Sequence, residues 1–408
     1  MKPTKSKFSI LQQISAMIPR NLVPKLAKEY GVDKQSRTFS AWSHVTAMIF
    51  AQVAHSLSLN DICDTLRNHQ GVLTTMRCAT PPSRNGLSHA NKIRNSDMAE
   101  ALFWKMLAHL QKIAPNFGCS HRCSGIPRRF KRLIHIVDST TIQLVSNCMD
   151  WAKHRRRKAA AKCHLRLNLQ SFLPGFAVVK EAATHDSTEA DLVCKDIQSG
   201  EIVIFDKAYV HYEHLHTLHK RGVFWVTRSK ENMAYKVIRS LSQPTSVIVS
   251  DEEIQLINPT AKAGYPLTMR RIKAQVEVDG TLKMMVFITN NMAWAPQSIC
   301  DLYKSRWAIE VFFKQLKQTL QLADFLGHSK HAVRWQIWTA LLTYLLLRFI
   351  AFQSKWKGSF ARLFTTLRGV LWETFSIESV LACCGTAHDP PRFIATPYQA
   401  YLPGFFMK

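Results

Sequence analysis

Between residues 8 and 113 apolar side chains recur at helical spacing, in runs at 8–18, 42–57, 59–66 and 98–113, with breaks at Pro19, Gly31 and Pro81-Pro82. This predicts an all-α N-terminal region. The period then changes. A short β-branched run, LIHIV at 133–137, ends at Asp138, and a second, EIVIF at 201–205, ends at Asp206. Both read as buried strands with a carboxylate at the C-terminal tip. Between them, runs at 165–169 and 176–179 flank Pro174-Gly175 and predict a hairpin, and 186–197 reads as a capped helix. A helix at 212–220 and a strand at 223–227 follow; 230–285 alternates apolar and polar residues as a β-rich insertion, and 286–289 returns as a strand.

The stretch 302–322, LYKSRWAIEVFFKQLKQTLQL, lacks Pro and Gly and reads as one continuous helix. At about 100° per residue, Tyr303, Arg306, Glu310, Lys314 and Lys317 share one narrow stripe, while Ile309, Phe312, Phe313, Leu316 and Leu320 gather on another side. A solvated, ion-paired surface is the plain reading of such a stripe. One carboxylate among cations and a Tyr also suits a divalent ion held beside nucleic-acid phosphates, and that reading requires partner carboxylates elsewhere. Asp138 and Asp206 are the candidates: three hard oxygen donors are what a pair of Mg²⁺ ions needs for phosphoryl transfer on nucleic acid. The last strongly apolar run, 335–352, is interrupted by Gln336 and Arg348 and reads as a buried core helix, with no membrane partner expected.

Composition narrows the class. Fifty-four Lys plus Arg against 28 Asp plus Glu give a formal charge of +26, expected of a protein that works against a polyanion, and 47% hydrophobic content supports a sizeable core. Ten scattered cysteines and an N-terminus without a long apolar run predict a reducing, cytoplasmic location. Cys119 and Cys123 lack a second closely spaced pair, so no zinc site is expected. A cation run, His154, Arg155, Arg156, Arg157 and Lys158, follows Asp138 and is a candidate DNA contact. Ser83, Arg84, Asn85, Ser88, His89, Asn91, Lys92 and Arg94 form a second polar, basic patch suited to phosphate contacts, beside a stretch at 57–66 that vaguely resembles part of a helix-turn-helix.

Tyr303, Arg306, Glu310 and Lys317, with two, three and six intervening residues, fit the Tyr-Arg-Glu-Lys signature, and with the two strand-end Asp residues the chain resembles bacterial insertion-sequence transposases of the DDE class, insertion-sequence-four group. The blocks KCHLRLNLQSFLPGF and ITNNMAWAPQSICDLYKSRWAIEVFFKQLKQ extend the likeness, which runs from about residue 8 to about 367. The resemblance implies an α/β fold: a ribonuclease-H-like core interrupted by a mostly β insertion and preceded by an all-α DNA-binding domain. The expected boundaries are 1–126 for the helical N-terminal domain, 127–229 for the first part of the core and 230–285 for the insertion. The second part of the core would span 286–355, and a helical or irregular C-terminal segment 356–408.

It also implies Mg²⁺ ions, with Mn²⁺ as a substitute, held by Asp138, Asp206 and Glu310, and phosphates held by Tyr303, Arg306 and Lys317, with Lys314 beside them. Some relatives form a DNA hairpin in which a Trp stacks on a flipped base, a role open to Trp294 or Trp307. The implied partners are double-stranded DNA, as terminal inverted repeats and target, and a second copy of the chain in a bacterial cytoplasm. Many relatives follow the second Asp with Arg-Gly-Tyr; here it is Lys207-Ala208-Tyr209. Two other functions fit the same residues: a structure-selective nuclease that cuts without joining, and a degenerate or domesticated copy that only binds DNA.

Overall fold

The computed structural model describes residues 3–34, 38–118, 129–143, 160–181, 186–278, 281–320, 327 and 329–383. The chain divides into two compact units, one made of residues 1–90, 97–106 and 338 onward, the other of 91–96 and 107–337. In chain order the helices α1 (Ile10–Ala16), α2 (Leu22–Glu29), α3 (Ala41–Ala54), α4 (Leu59–Asn68), α5 (Gln70–Thr75), α6 (Arg84–Ile93) and α7 (Asp97–Ile113) come first. The sequence signals behind them are local: Ser9 and Ser58 each close a capping box with Gln12 and Asp61, and Ser40 caps α3.

In the first unit α3 is apolar nearly all round and is buried along all but its last residue. The start of the chain lies along residues 371–375: Lys5 bridges Phe375, and the Leu11 N–H donates to Leu371 O at 3.0 Å. There Trp372 stacks on His69, with ring centroids 3.7 Å apart. The apolar run at 335–352 belongs to α13 (Lys330–Gln353), numbered after the elements below, and 83% of its most apolar window is buried within the protein.

The second unit contains a nine-stranded sheet, in the order β3-β2-β1-β4-β5-β9-β8-β7-β6. Its strands are β1 (Ile134–Gln143), β2 (Ala160–Asn168), β3 (Pro174–Glu181), β4 (Ile202–Phe205), β5 (Phe224–Arg228), β6 (Tyr235–Ser240), β7 (Ile248–Leu256), β8 (Met269–Val278) and β9 (Thr281–Thr289). Strands β1, β4 and β5 are parallel and all other neighbours antiparallel. Strand β4, IVIF, is buried throughout, as a central parallel strand covered on both faces must be. Helix α8 (Asp186–Val193) precedes β4, and α9 (Tyr212–Lys220) precedes β5, closing parallel crossovers. Val137, Val203, Phe205, Trp225, Leu215 and Leu218 belong to the core on one face of the sheet.

The β-rich stretch is not a separate sheet. It carries β6–β8, a short helix α10 (Pro259–Gly264) and the first half of β9, whose second half, the strand expected at 286–289, pairs with β5 and so joins them edge to edge to the core strands. At its base Arg270 and Asp251, 3% and 0% exposed, form a bidentate pair at 2.7 Å, and Arg270 also donates to Trp294 O at 2.6 Å. After β9, Asn290 replaces strand pairing with its side chain: Oδ1 accepts the Trp225 N–H at 3.0 Å and Nδ2 donates to Val223 O at 2.8 Å. Asn291 Oδ1 accepts the N–H groups of Ala293 and Trp294, turning the chain into α11 (Pro296–Lys304).

The helix expected over 302–322 is three segments. Helix α11 ends at Lys304, α12 runs Trp307–Lys314, and Gln315–Thr319 form a π-helical turn. Between α11 and α12, tight bonds such as Arg306 N–H to Tyr303 O at 3.0 Å and Ile309 N–H to Arg306 O at 3.1 Å interrupt the α pattern, and Ser305 Oγ occupies Leu302 O. Residues 321 and 322 lie outside the described residues, as do Cys119, Cys123 and Cys384. Helices α14 (Phe360–Gly369) and α15 (Ile377–Cys383) follow α13.

Candidate active site

Parallel pairing of β1 with β4 ends at Val137 opposite Phe205, so Asp138 and Asp206 follow side by side on adjoining strands, with backbones about 5 Å apart. Strand β1 continues to Gln143 against β2, so Asp138 marks the end of the parallel pairing rather than the end of its strand. Val137 and Phe205 face the core, and alternation turns the two carboxylates to the opposite face. There Arg306 joins the cluster: one guanidinium nitrogen donates to Asp138 Oδ2 at 2.8 Å and another donates to Glu310 Oε1. Tyr303 Oη donates to Asp206 Oδ1 at 3.2 Å. Arg228, which no sequence pattern marks as part of the site, stands 4.0 Å from the same oxygen. Its only sequence signal is a cation at the end of β5, where it shares the sheet face of Asp206.

The electrostatics follow from crowding. Burial pushes the Asp138 carboxyl up to about 6; the Ser139 N–H and Arg306 pull it down, and Asp206 and Glu310 raise it further. Burial also raises the Tyr303 hydroxyl. Burial alone would lower the Arg306 guanidinium, but Tyr303, Asp138 and Glu310 outweigh it and hold the group above its ordinary value. Three carboxylates thus converge with one intervening cation.

The other predicted residues divide. Lys317, in the π turn, donates to Thr141 O of β1 at 3.0 Å, and burial lowers its pKa. Lys314 is exposed on α12. Trp307, 62% exposed, lines a cavity of about 470 Å³ together with Asp206, Arg228, Phe287, Tyr303 and Arg306. Trp294 instead packs its ring against Phe130 and Phe224, at 5.0 and 5.1 Å. Arg155, Arg156 and Arg157 lie outside the described residues. The Lys207-Ala208-Tyr209 segment forms a 3₁₀ turn in which Tyr209 meets His164 Nδ1 at 2.9 Å; Ala208 has no positive φ, so a glycine is not required there.

Among the described residues no group of three His, Cys, Asp or Glu side chains is arranged to hold a metal ion. The chemistry of Asp138, Asp206 and Glu310, all hard carboxylate donors, suits a hard cation, but here Arg306 occupies Asp138 and Glu310 while Tyr303 occupies Asp206.

Residues 129–346, which include every one of these side chains, match the family model described as the transposase DDE domain. The chain belongs to the DDE transposase family. Residues 6–76 match a domain of unknown function (DUF4372). A putative transposase, y4zB, of Sinorhizobium fredii is 31% identical over 55% of this chain and 62% of its own length. The probable transposase of insertion sequence element IS5377 from Geobacillus stearothermophilus is 27% identical over 56% of this chain and 59% of its own. Transposase InsG of insertion sequence element IS4 from Escherichia coli is 22% identical over 45% and 42%. The chain therefore spans less than two thirds of the length of these relatives. Against a solved structure, the cryo-EM synaptic complex of piggyBac transposase with hairpin DNA, the TM-score is 0.47 at 10% identity over 91% of this chain, a likeness too weak to define the fold.

Proposed function

We propose that the protein binds the terminal inverted repeats of its insertion sequence, cleaves at the element ends and joins the freed 3′-OH to target DNA. The observation that carries this reading is the juxtaposition of Asp138 and Asp206 at the end of the β1–β4 pairing, with Glu310 linked to Asp138 through one guanidinium. The order β3-β2-β1-β4-β5, antiparallel and then parallel, supports a ribonuclease-H-like core, and the helices of residues 10–113 support an all-α DNA-binding region.

Asp138, Asp206 and Glu310 would hold Mg²⁺, or Mn²⁺ in its place, which when bound activates the attacking oxygen and stabilises the leaving one. Arg306 and Tyr303, released from the carboxylates, would hold phosphate oxygens at the cut, the guanidinium in bidentate fashion. Lys317 would add a third phosphate contact, with Lys314 at the exposed margin. The cavity floored by Phe287 and edged by Trp307 has the apolar walls and cationic rim that an unstacked nucleotide requires, which favours Trp307 over Trp294 as the stacking ring. Two protomers would bring the two ends together in a homodimer.

The test is cleavage and joining of a labelled DNA carrying the inverted repeat that flanks the gene, with Mg²⁺, for the wild type and Glu310→Gln. The wild type should cut at the repeat boundary and join the end to a target plasmid, and the variant should bind without cutting. Cutting without joining would favour a nuclease, and binding without cutting by both proteins would favour a DNA-binding relic.

A further inference from the structure

Helix α6 divides its residues by face. Leu87, Ala90 and Asn91 are buried, as is Arg94 just past its end, whereas Arg84, Asn85, Ser88, His89 and, one turn further along, Lys92 are exposed, with Ile93 exposed at the margin of that face. At about 100° per residue these five occupy one half of the helix circumference. Ser83 starts the helix, its Oγ accepting the Gly86 N–H at 3.1 Å. The patch singled out in the sequence is thereby split: Asn91 and Arg94 serve packing, with Arg94 O accepting the Trp335 indole N–H at 3.1 Å.

Two properties of the exposed face do not suit a helix made only to meet water. It carries no carboxylate, so it lacks the Glu–Lys pairs that ordinarily support a solvated helix. It also presents Asn, Ser and His, poor helix formers, at positions where no packing demands them. Helix stability has been given up for side chains that donate and accept hydrogen bonds. Arg pairs with guanine edges, Asn with adenine edges, Ser with either, and Lys with guanine or phosphate. The helix is about 15 Å long, enough to cross a major groove about 12 Å wide.

We infer that α6 is the base-reading helix of this protein, laid in the major groove of duplex DNA with Arg84, Asn85, Ser88 and His89 toward the base edges and Lys92 toward a phosphate. Neither matched family model, 6–76 or 129–346, includes this helix. The inference rests on the reading that the protein binds the ends of its element in a sequence-dependent way. Charge complementarity is its first support: the face holds two permanent cations and no anion, in a chain of formal charge +26.

The test is selection of duplexes from a randomised pool by the full-length protein, followed by measurement of affinity for the selected duplex relative to a scrambled one. The wild type should enrich a motif. Arg84→Ala and Asn85→Ala should each lose roughly 10-fold or more in that ratio, at different base positions, while Lys92→Ala weakens binding to both duplexes alike. Alanine is the better helix former, so Arg84→Ala and Asn85→Ala should melt no lower than the wild type, which separates lost reading from lost folding. The same motif and ratio in both variants would overturn the assignment of α6. No enriched motif from the wild type would overturn sequence-dependent end binding itself.

Discussion

Asp138 sits between two opposed demands, for its charge is attracted by Arg306 and repelled by burial, Asp206 and Glu310. With a folded pKa of about 6 against an ordinary 3.8, the folded chain binds a proton more readily than the unfolded chain between those values. The stability linked to this proton is full below pH about 4 and is lost as pH rises through about 6, on the order of 1–3 kcal/mol. Denaturant titrations of chelator-treated protein should therefore show a decline across that window, and Asp138→Asn should abolish it. An identical decline in the variant would assign the proton elsewhere. At this scale the sequence was informative: Asp138, Asp206, Tyr303, Arg306 and Glu310 were all marked by position in a strand or stripe, and the fold gathers them. Arg228 was not marked, because its nearness to Asp206 depends on β5 lying beside β4, a contact with no local signature.

The elements that carry these residues are held by devices the hydrophobic pattern does not display. The site helix follows a turn built by Asn290 and Asn291, and Arg270, paired with Asp251, holds the Trp294 carbonyl in the same turn. Asp251→Ala leaves the Arg270 charge buried without its partner and should destabilise the protein by about 3–5 kcal/mol in denaturant unfolding. Asp251→Leu combined with Arg270→Met should recover most of that loss; an equal loss in the double variant would show that the pair matters through its bond to the turn. Periodicity found the strands because β1 and β4 are apolar runs buried by their neighbours, and it found the amphipathic stripe of 302–322. It read one helix where there are two and a π turn, because Ser305 and the tight bonds around Arg306 interrupt the backbone without interrupting the apolar spacing. Alternation marked the strands of 230–285 and the return of 286–289, but not that 281–289 form one continuous strand or that all these strands extend the core sheet.

For the molecule as a whole, all three carboxylates and the cations on them lie in one compact unit, whereas the other gathers the start of the chain with residues from 338 onward. Such long-range assembly leaves little trace in local sequence. Charge does leave one. An excess of +26 suits a polyanionic partner, and under the proposed function Arg306 has a second task, as the cation that satisfies the carboxylates until phosphate draws it away. The most direct measurement is titration of the DNA-free protein with Mn²⁺, followed by the loss of the free-ion paramagnetic resonance signal, for the wild type, Arg306→Gln and Glu310→Gln. The account predicts weak binding by the wild type, binding tightened about 10-fold or more when the guanidinium is removed, and binding lost when the Glu310 carboxylate is replaced. Mn²⁺ affinity unchanged in both variants would contradict the claim that Asp138, Asp206 and Glu310 form one ion site guarded by Arg306.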